Sequence, residues 1–158
     1  FFKKIGAYIP KHADLVKSEE PMIESSIIPP NVTERKGLVT SRVGQGAYRK
    51  RIIHRWEYKC AVTGFNKLDI LIASHIVPWS NSNDHERLDV DNGILLSPVF
   101  DALFDKHLIS FENNGKIILS DEIDNLSYRK IGVTGTEKIK NLSHHNLKYL
   151  ERHRSVIV

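Results

Sequence analysis

The segment from Leu68 to Lys106 constrains this chain more than any other, because two prolines divide it into an ordered series of short elements. Leu68 to Val77 is an apolar, β-rich run with Asp69 near its start, the pattern of a largely buried strand. Pro78 has no N–H to give a ladder and ends it. Asn81 to Asp91 is polar and turn-rich, so a loop is predicted there. Asn92-Gly93 is a turn signal leading into a second strand, Ile94-Leu95-Leu96. Ser97-Pro98 supplies an N-cap and a first-turn proline, which predicts a helix from Pro98 to Lys106. The order is therefore strand, loop, strand, helix. If the strands pair and the helix crosses them, His75 at the end of the first strand faces Asp101 on the helix.

The flanks read as support for this unit. Tyr48, Ile52 and Trp56 recur every four residues with arginines between them, which predicts an amphipathic helix with a basic outer side. Cys60 to Gly64 reads as a strand ending in a glycine turn. Leu108 to Phe111 and Lys116 to Leu119 flank Asn113-Asn114-Gly115, a hairpin signal. Asp121 to Asn141 shows no regular pattern. Ser143 is placed to cap a last helix in which Leu147 and Leu150 face inward and Lys148, Arg152 and Arg154 outward. Residues 1–40 mix charges with four prolines and hold no sustained period, so an arm or linker is expected there, followed by one α+β domain over 41–158. Because the chain starts at Phe1 rather than Met, it is expected to be a piece of a longer protein.

Charge narrows the partners. The net charge of +4 is only mildly basic, but its distribution is uneven. Arg42, Arg49, Lys50, Arg51, Arg55 and Lys59 crowd the first helix with one acid, Glu57. From Asp84 to Asp105 six acids surround the single base Arg87. A basic face thus precedes an acidic pocket, which is suggestive of a nucleic acid partner, although the same arginines also suit a solvated helix face. The single cysteine, Cys60, excludes an intramolecular disulfide and a cysteine-based zinc site, and it fits a reducing, cytoplasmic setting. No apolar run approaches the roughly 20 residues of a membrane span, so no membrane partner is expected.

His75, Asn92 and Asp101 each have an ordinary reading as a core histidine, a turn residue and a first-turn helix carboxylate. Together they have a chemical one. A neutral imidazole takes a proton from water near pH 7, and a carboxylate-bound hard cation offsets charge on a phosphate and its leaving oxygen. Asn92 offers both an amide donor and an acceptor to fix the loop that orients the imidazole. Trp79 reads as a packing anchor beneath that loop.

The ordered motifs from Val43 to Val158 resemble the HNH endonuclease family, whose fold is the ββα-metal core. They include Gly44-Gln45-Gly46-Ala47-Tyr48-Arg49, Cys60-Ala61-Val62-Thr63-Gly64, Ala73-Ser74-His75-Ile76-Val77-Pro78-Trp79, Arg87, Asp91-Asn92-Gly93-Ile94-Leu95-Leu96 and Asp101-Ala102-Leu103-Phe104-Asp105. The form is similar to the HNH domains attached to bacterial restriction enzymes. The resemblance implies an HNH core with flanking helices and a β-hairpin, a metal-dependent endonuclease acting on double-stranded DNA, and a DNA-recognition domain as companion, with a homodimer allowed. It implies His75 as general base, Asn92 as orienting group and Asp101 as ligand of Mg²⁺ or Mn²⁺. Ser74 stands where many members carry a metal-binding Asp or His. Asp105 and His107 are held in reserve as further ligands. Arg42, Gln45, Arg49, Arg51, Arg55 and Arg87 are the candidate nucleic-acid contacts; for Arg87 a salt bridge to Asp89 or Asp91 is the alternative. An HNH-fold DNA-binding module without catalysis is the rival reading, motivated by Ser74.

Overall fold

Tyr48, Ile52 and Trp56 are all buried, and they dock helix α1 (Arg42–Arg55) onto the strands that follow. The computed structural model describes residues 42–157, with side chains from Gly44 onward. The arm expected over 1–40 lies outside the described residues, as does the side chain of Arg42. Strands β1 (Ile72–His75) and β2 (Gly93–Leu96) pair antiparallel, with Ser74 opposite Ile94 and His75 opposite Gly93. Helix α3 (Pro98–Asp105) follows β2 and packs on β1, completing the strand–strand–helix unit. Between the strands lies a short helix, α2 (Asp84–Leu88). Ile94, Leu95 and Leu96 are wholly buried, each contributing roughly 1.5–3 kcal/mol by leaving water.

A second pair, β3 (Ile109–Phe111) and β4 (Ile117–Leu119), forms the predicted hairpin. Its turn depends on Gly115, which sits at φ +90 where any Cβ would run into the Ile139 carbonyl. Two helices close the chain. Asp124 caps α4 (Asn125–Lys130), and Ser143 and Asn146 form a reciprocal capping box on α5 (His144–Arg154). Among the described residues no helix is long and apolar enough to cross a membrane.

Several expectations are corrected. Cys60 to Gly64 is a turn, not a strand: Gly64 N–H returns to the Cys60 carbonyl at 2.9 Å, and Ala61 N–H alone reaches across to Leu95, at 2.8 Å. The strand predicted from Leu68 begins only at Ile72. Arg49 holds the Leu68 and Leu71 carbonyls at 2.9 Å each, which turns Leu68–Ile70 into a single 3-10 turn. The predicted loop over 81–91 contains α2, whose capping box pairs Asn83 with Glu86. Ser97 sits at the N-cap of α3, yet its side chain makes no capping bond and lies 3.7 Å from Cys60 Sγ. Arg154 turns inward, donating at 2.8 Å to both the Phe111 carbonyl and Asn113.

Candidate active site

His75 closes β1 and is 8% exposed. Its Nε2 lies 2.8 Å from the Arg87 carbonyl, which can only accept, so Nε2 donates, and in the neutral ring Nδ1 carries the lone pair. The Tyr48 ring lies parallel to the imidazole, with centroids 4.4 Å apart and planes within 2°. The Trp79 ring meets it edge-on at 5.6 Å. Burial holds the Tyr48 phenol well above its ordinary pKa, with the Asp89 carboxylate adding to the effect.

Asn92 is wholly buried and ties three segments together. Its Oδ1 accepts from Val77 N–H at 2.8 Å, and its Nδ2 donates to the Glu86 carbonyl at 3.0 Å and to Ser82 Oγ at 3.3 Å. Its own carbonyl accepts from Ile76 N–H and from the Tyr48 hydroxyl. The Glu86 carbonyl that Asn92 holds is next to the Arg87 carbonyl that holds His75. The amide thus sets the imidazole's anchor one peptide away.

Asp101 lies in the first turn of α3, wholly buried, where the helix N-terminus favours a carboxylate. The Ser74 hydroxyl donates to its Oδ1. Ser74 and His75 are consecutive in β1, where side chains alternate in face: the structure joins Asp101 to Ser74, and joins the imidazole to Arg87, Tyr48 and Trp79. Two hard oxygen donors, one of them anionic, fit a magnesium- or manganese-like cation better than a soft metal. Among the described residues no group of three or more His, Cys, Asp or Glu side chains is placed to hold a metal ion. A cation held by Asp101 and Ser74 would leave the rest of its shell to water and phosphate. His107 stacks on His153 at 4.3 Å, and His153 stacks on Phe104 at 3.8 Å, which puts His107 in the joint between α3 and α5.

The candidate nucleic-acid contacts divide. Arg49 and Arg55 are turned to intramolecular work: Arg49 on the Leu68 and Leu71 carbonyls, Arg55 on the Asn141 carbonyl and Asn146 Oδ1 and across the Trp56 ring. Partial burial lowers the pKa of both guanidinium groups. Arg51 is exposed and Gln45 half-buried. Arg87 donates to the Trp79 carbonyl at 3.0 Å and lies over its ring, and its ion pair is with Asp84 at 3.2 Å, not Asp89 or Asp91.

The HNH endonuclease family matches residues 60–112. That match supports the HNH endonuclease family for this segment. No curated protein matches the chain. The HNH segment takes in β1, α2, β2, α3 and β3, the strand–strand–helix unit with its loop and its first hairpin strand. Helices α1 and α5 lie outside it and still reach into it. Tyr48 comes from α1. From α5, Tyr149 donates to Asp89 at 2.6 Å, Asn146 to the Asp91 carbonyl at 2.8 Å, and Arg152 to Glu86 and to the Asn81 carbonyl. Reading the sequence placed Tyr48 on an apolar stripe and missed these braces. The signal in their favour is that Tyr48 and Tyr149 carry polar tips on ring bodies that pack inward.

Proposed function

We propose that the chain is a divalent-metal-dependent endonuclease that hydrolyses phosphodiester bonds in double-stranded DNA, as the cutting module of a restriction system. The observation that carries this reading is the Nε2–H bond from His75 to the Arg87 carbonyl, which leaves Nδ1 as the basic nitrogen at the end of β1. In this reading Nδ1 takes a proton from water, the water oxygen attacks phosphorus, and the bond to the 3′ oxygen breaks, giving 5′-phosphate and 3′-hydroxyl ends. Asp101, with Ser74 beside it, would hold a Mg²⁺ or Mn²⁺ ion, which supplies positive charge against the phosphate and the departing oxygen. Asn92 keeps the loop carrying Arg87 in place, and Arg51 and Gln45 supply contacts to the DNA backbone. A separate DNA-recognition domain is the partner this reading requires, since the HNH segment is built around the cut and not around a base-reading element.

Incubating plasmid with a series of divalent ions tests it. The wild-type chain should nick or linearise DNA only with metal present, and His75→Ala and Asp101→Ala should each abolish cleavage. Cleavage that survives His75→Ala removes that residue from the base role. The rival, a binding module without catalysis, is favoured by the presence of a single carboxylate beside Ser74. DNA affinity without any divalent-ion binding in calorimetry would establish it instead.

A further inference from the structure

A hydrogen bond to one ring nitrogen fixes where that nitrogen lies, but carbonyl acceptors tolerate a broad spread of approach, so the ring is still able to tilt. The plane of His75 has a second restraint. Tyr48 covers one face of the imidazole at 4.4 Å with the planes within 2°, from a helix outside the matched HNH segment. The phenol is itself pinned, since its hydroxyl donates to the Asn92 carbonyl at 3.0 Å. Gly93, opposite His75 in the ladder, leaves the space this requires: a Cβ there would run into Ile52 and the Tyr48 hydroxyl. Asn92 thus anchors both the ring over His75 and, through the Glu86 carbonyl, the peptide bonded to Nε2.

We propose that Tyr48 is a positioning residue for His75, holding the imidazole plane so that Nδ1 keeps one direction toward the scissile phosphate. The proposal rests on the reading of His75 as the base. The aromatic plane does this work, and the hydroxyl only places the plane. Tyr48→Met fills a similar volume with no plane, whereas Tyr48→Phe keeps the plane and loses the hydroxyl bond. Tyr48→Leu is the second planeless variant should the first not fold.

The test combines single-turnover cleavage of a DNA duplex with long-range proton–nitrogen NMR of His75, both below the thermal midpoint of each variant. Tyr48→Met should lower kcat about 100-fold, the scale of a reacting group displaced by roughly 1 Å, with KM for DNA unchanged. Its His75 signals should shift from one Nε2–H tautomer to a mixture. Tyr48→Phe should restore both the single tautomer and most of kcat. A planeless variant that melts earlier but keeps kcat and a single Nε2–H tautomer would show Tyr48 to be a core filler and overturn the proposal. If wild type cuts no DNA, the nuclease reading fails separately. The NMR comparison still decides, because an unchanged His75 tautomer in Tyr48→Met overturns the positioning role with no reference to activity.

Discussion

Replacing Asn92 with alanine removes three side-chain hydrogen bonds from a position with no solvent exposure. Water has no ready access to replace them. The Val77 N–H loses its partner, at about 1–3 kcal/mol for a buried group left unsatisfied, whereas the Glu86 carbonyl keeps its bond from the Asp89 N–H, so the bonds lost there and at Ser82 cost about 0.5–1.5 kcal/mol each. The total is roughly 2–6 kcal/mol against a stability of about 5–15 kcal/mol for a domain of ordinary size. The backbone bonds of residue 92, to Ile76, Asp89 and the Tyr48 hydroxyl, do not depend on the side chain and persist. The damage should therefore centre on the loop between β1 and α2. Urea unfolding followed by the fluorescence of the two tryptophans, Trp56 and Trp79, measures it, since both lie against this region. The midpoint should fall with the slope unchanged, and cleavage should fall with it even where the variant is fully folded. A loss under about 1 kcal/mol, with cleavage intact, would refute the argument, because it would mean the loop is held without the amide.

Three further outcomes are expected. Gly93→Ala should destabilise the fold by about 1–3 kcal/mol, read as a lower thermal midpoint, because the new methyl group overpacks Ile52 and the Tyr48 hydroxyl. Stability should fall as pH rises past about 10: burial raises the pKa of Tyr48 and Tyr149, so the unfolded chain gives up these protons first. Ultraviolet titration should show these two phenols ionising only as the protein unfolds, and Tyr149→Phe should flatten the alkaline decline. Arg51→Ala should weaken DNA binding and reduce its salt slope by about 1, whereas Arg49→Ala should lower stability and leave that slope unchanged, since Arg49 is committed to Leu68 and Leu71.

What the sequence made legible was whatever is decided locally. The four-residue stripe of Tyr48, Ile52 and Trp56, the turn at Gly115 and the cap at Ser143 each reflect forces acting within a few residues, and each is where the spacing put it. The segment from Leu68 failed because its strand propensity is overridden by Arg49, 19 residues away from Leu68, whose guanidinium takes the carbonyls a ladder would need. Cys60 to Gly64 failed for a related reason. The N–H groups of Thr63 and Ser97 point at the Cys60 sulfur at 3.4 Å, an acceptor that strand propensity ignores. Burial pushes that thiol up, and the hydrogen bonds from Thr63, Ser97 and Val62 together pull it down below its ordinary pKa. Helix α2 was readable in principle, because Asn83 and Glu86 have capping-box spacing, but the surrounding polar composition outweighed it. At the site, residue types in order suggested His75, Asn92 and Asp101, whereas the stack of Tyr48 on His75 joins positions with no periodic relation and needed coordinates.

The braces from α5 have a consequence in time. Tyr149 and Asp89 are 60 positions apart, and Arg152 and Glu86 are 66, so these bonds form only after nearly all of the domain has left the ribosome. Strands β1 and β2 and helix α3 are complete long before that and are able to associate early, since their contacts are comparatively short-range. The loop that aims the imidazole waits for the last helix. Helix α5 emerges after the strand pair, so the loop between β1 and β2 gains its braces from Tyr149 and Arg152 last.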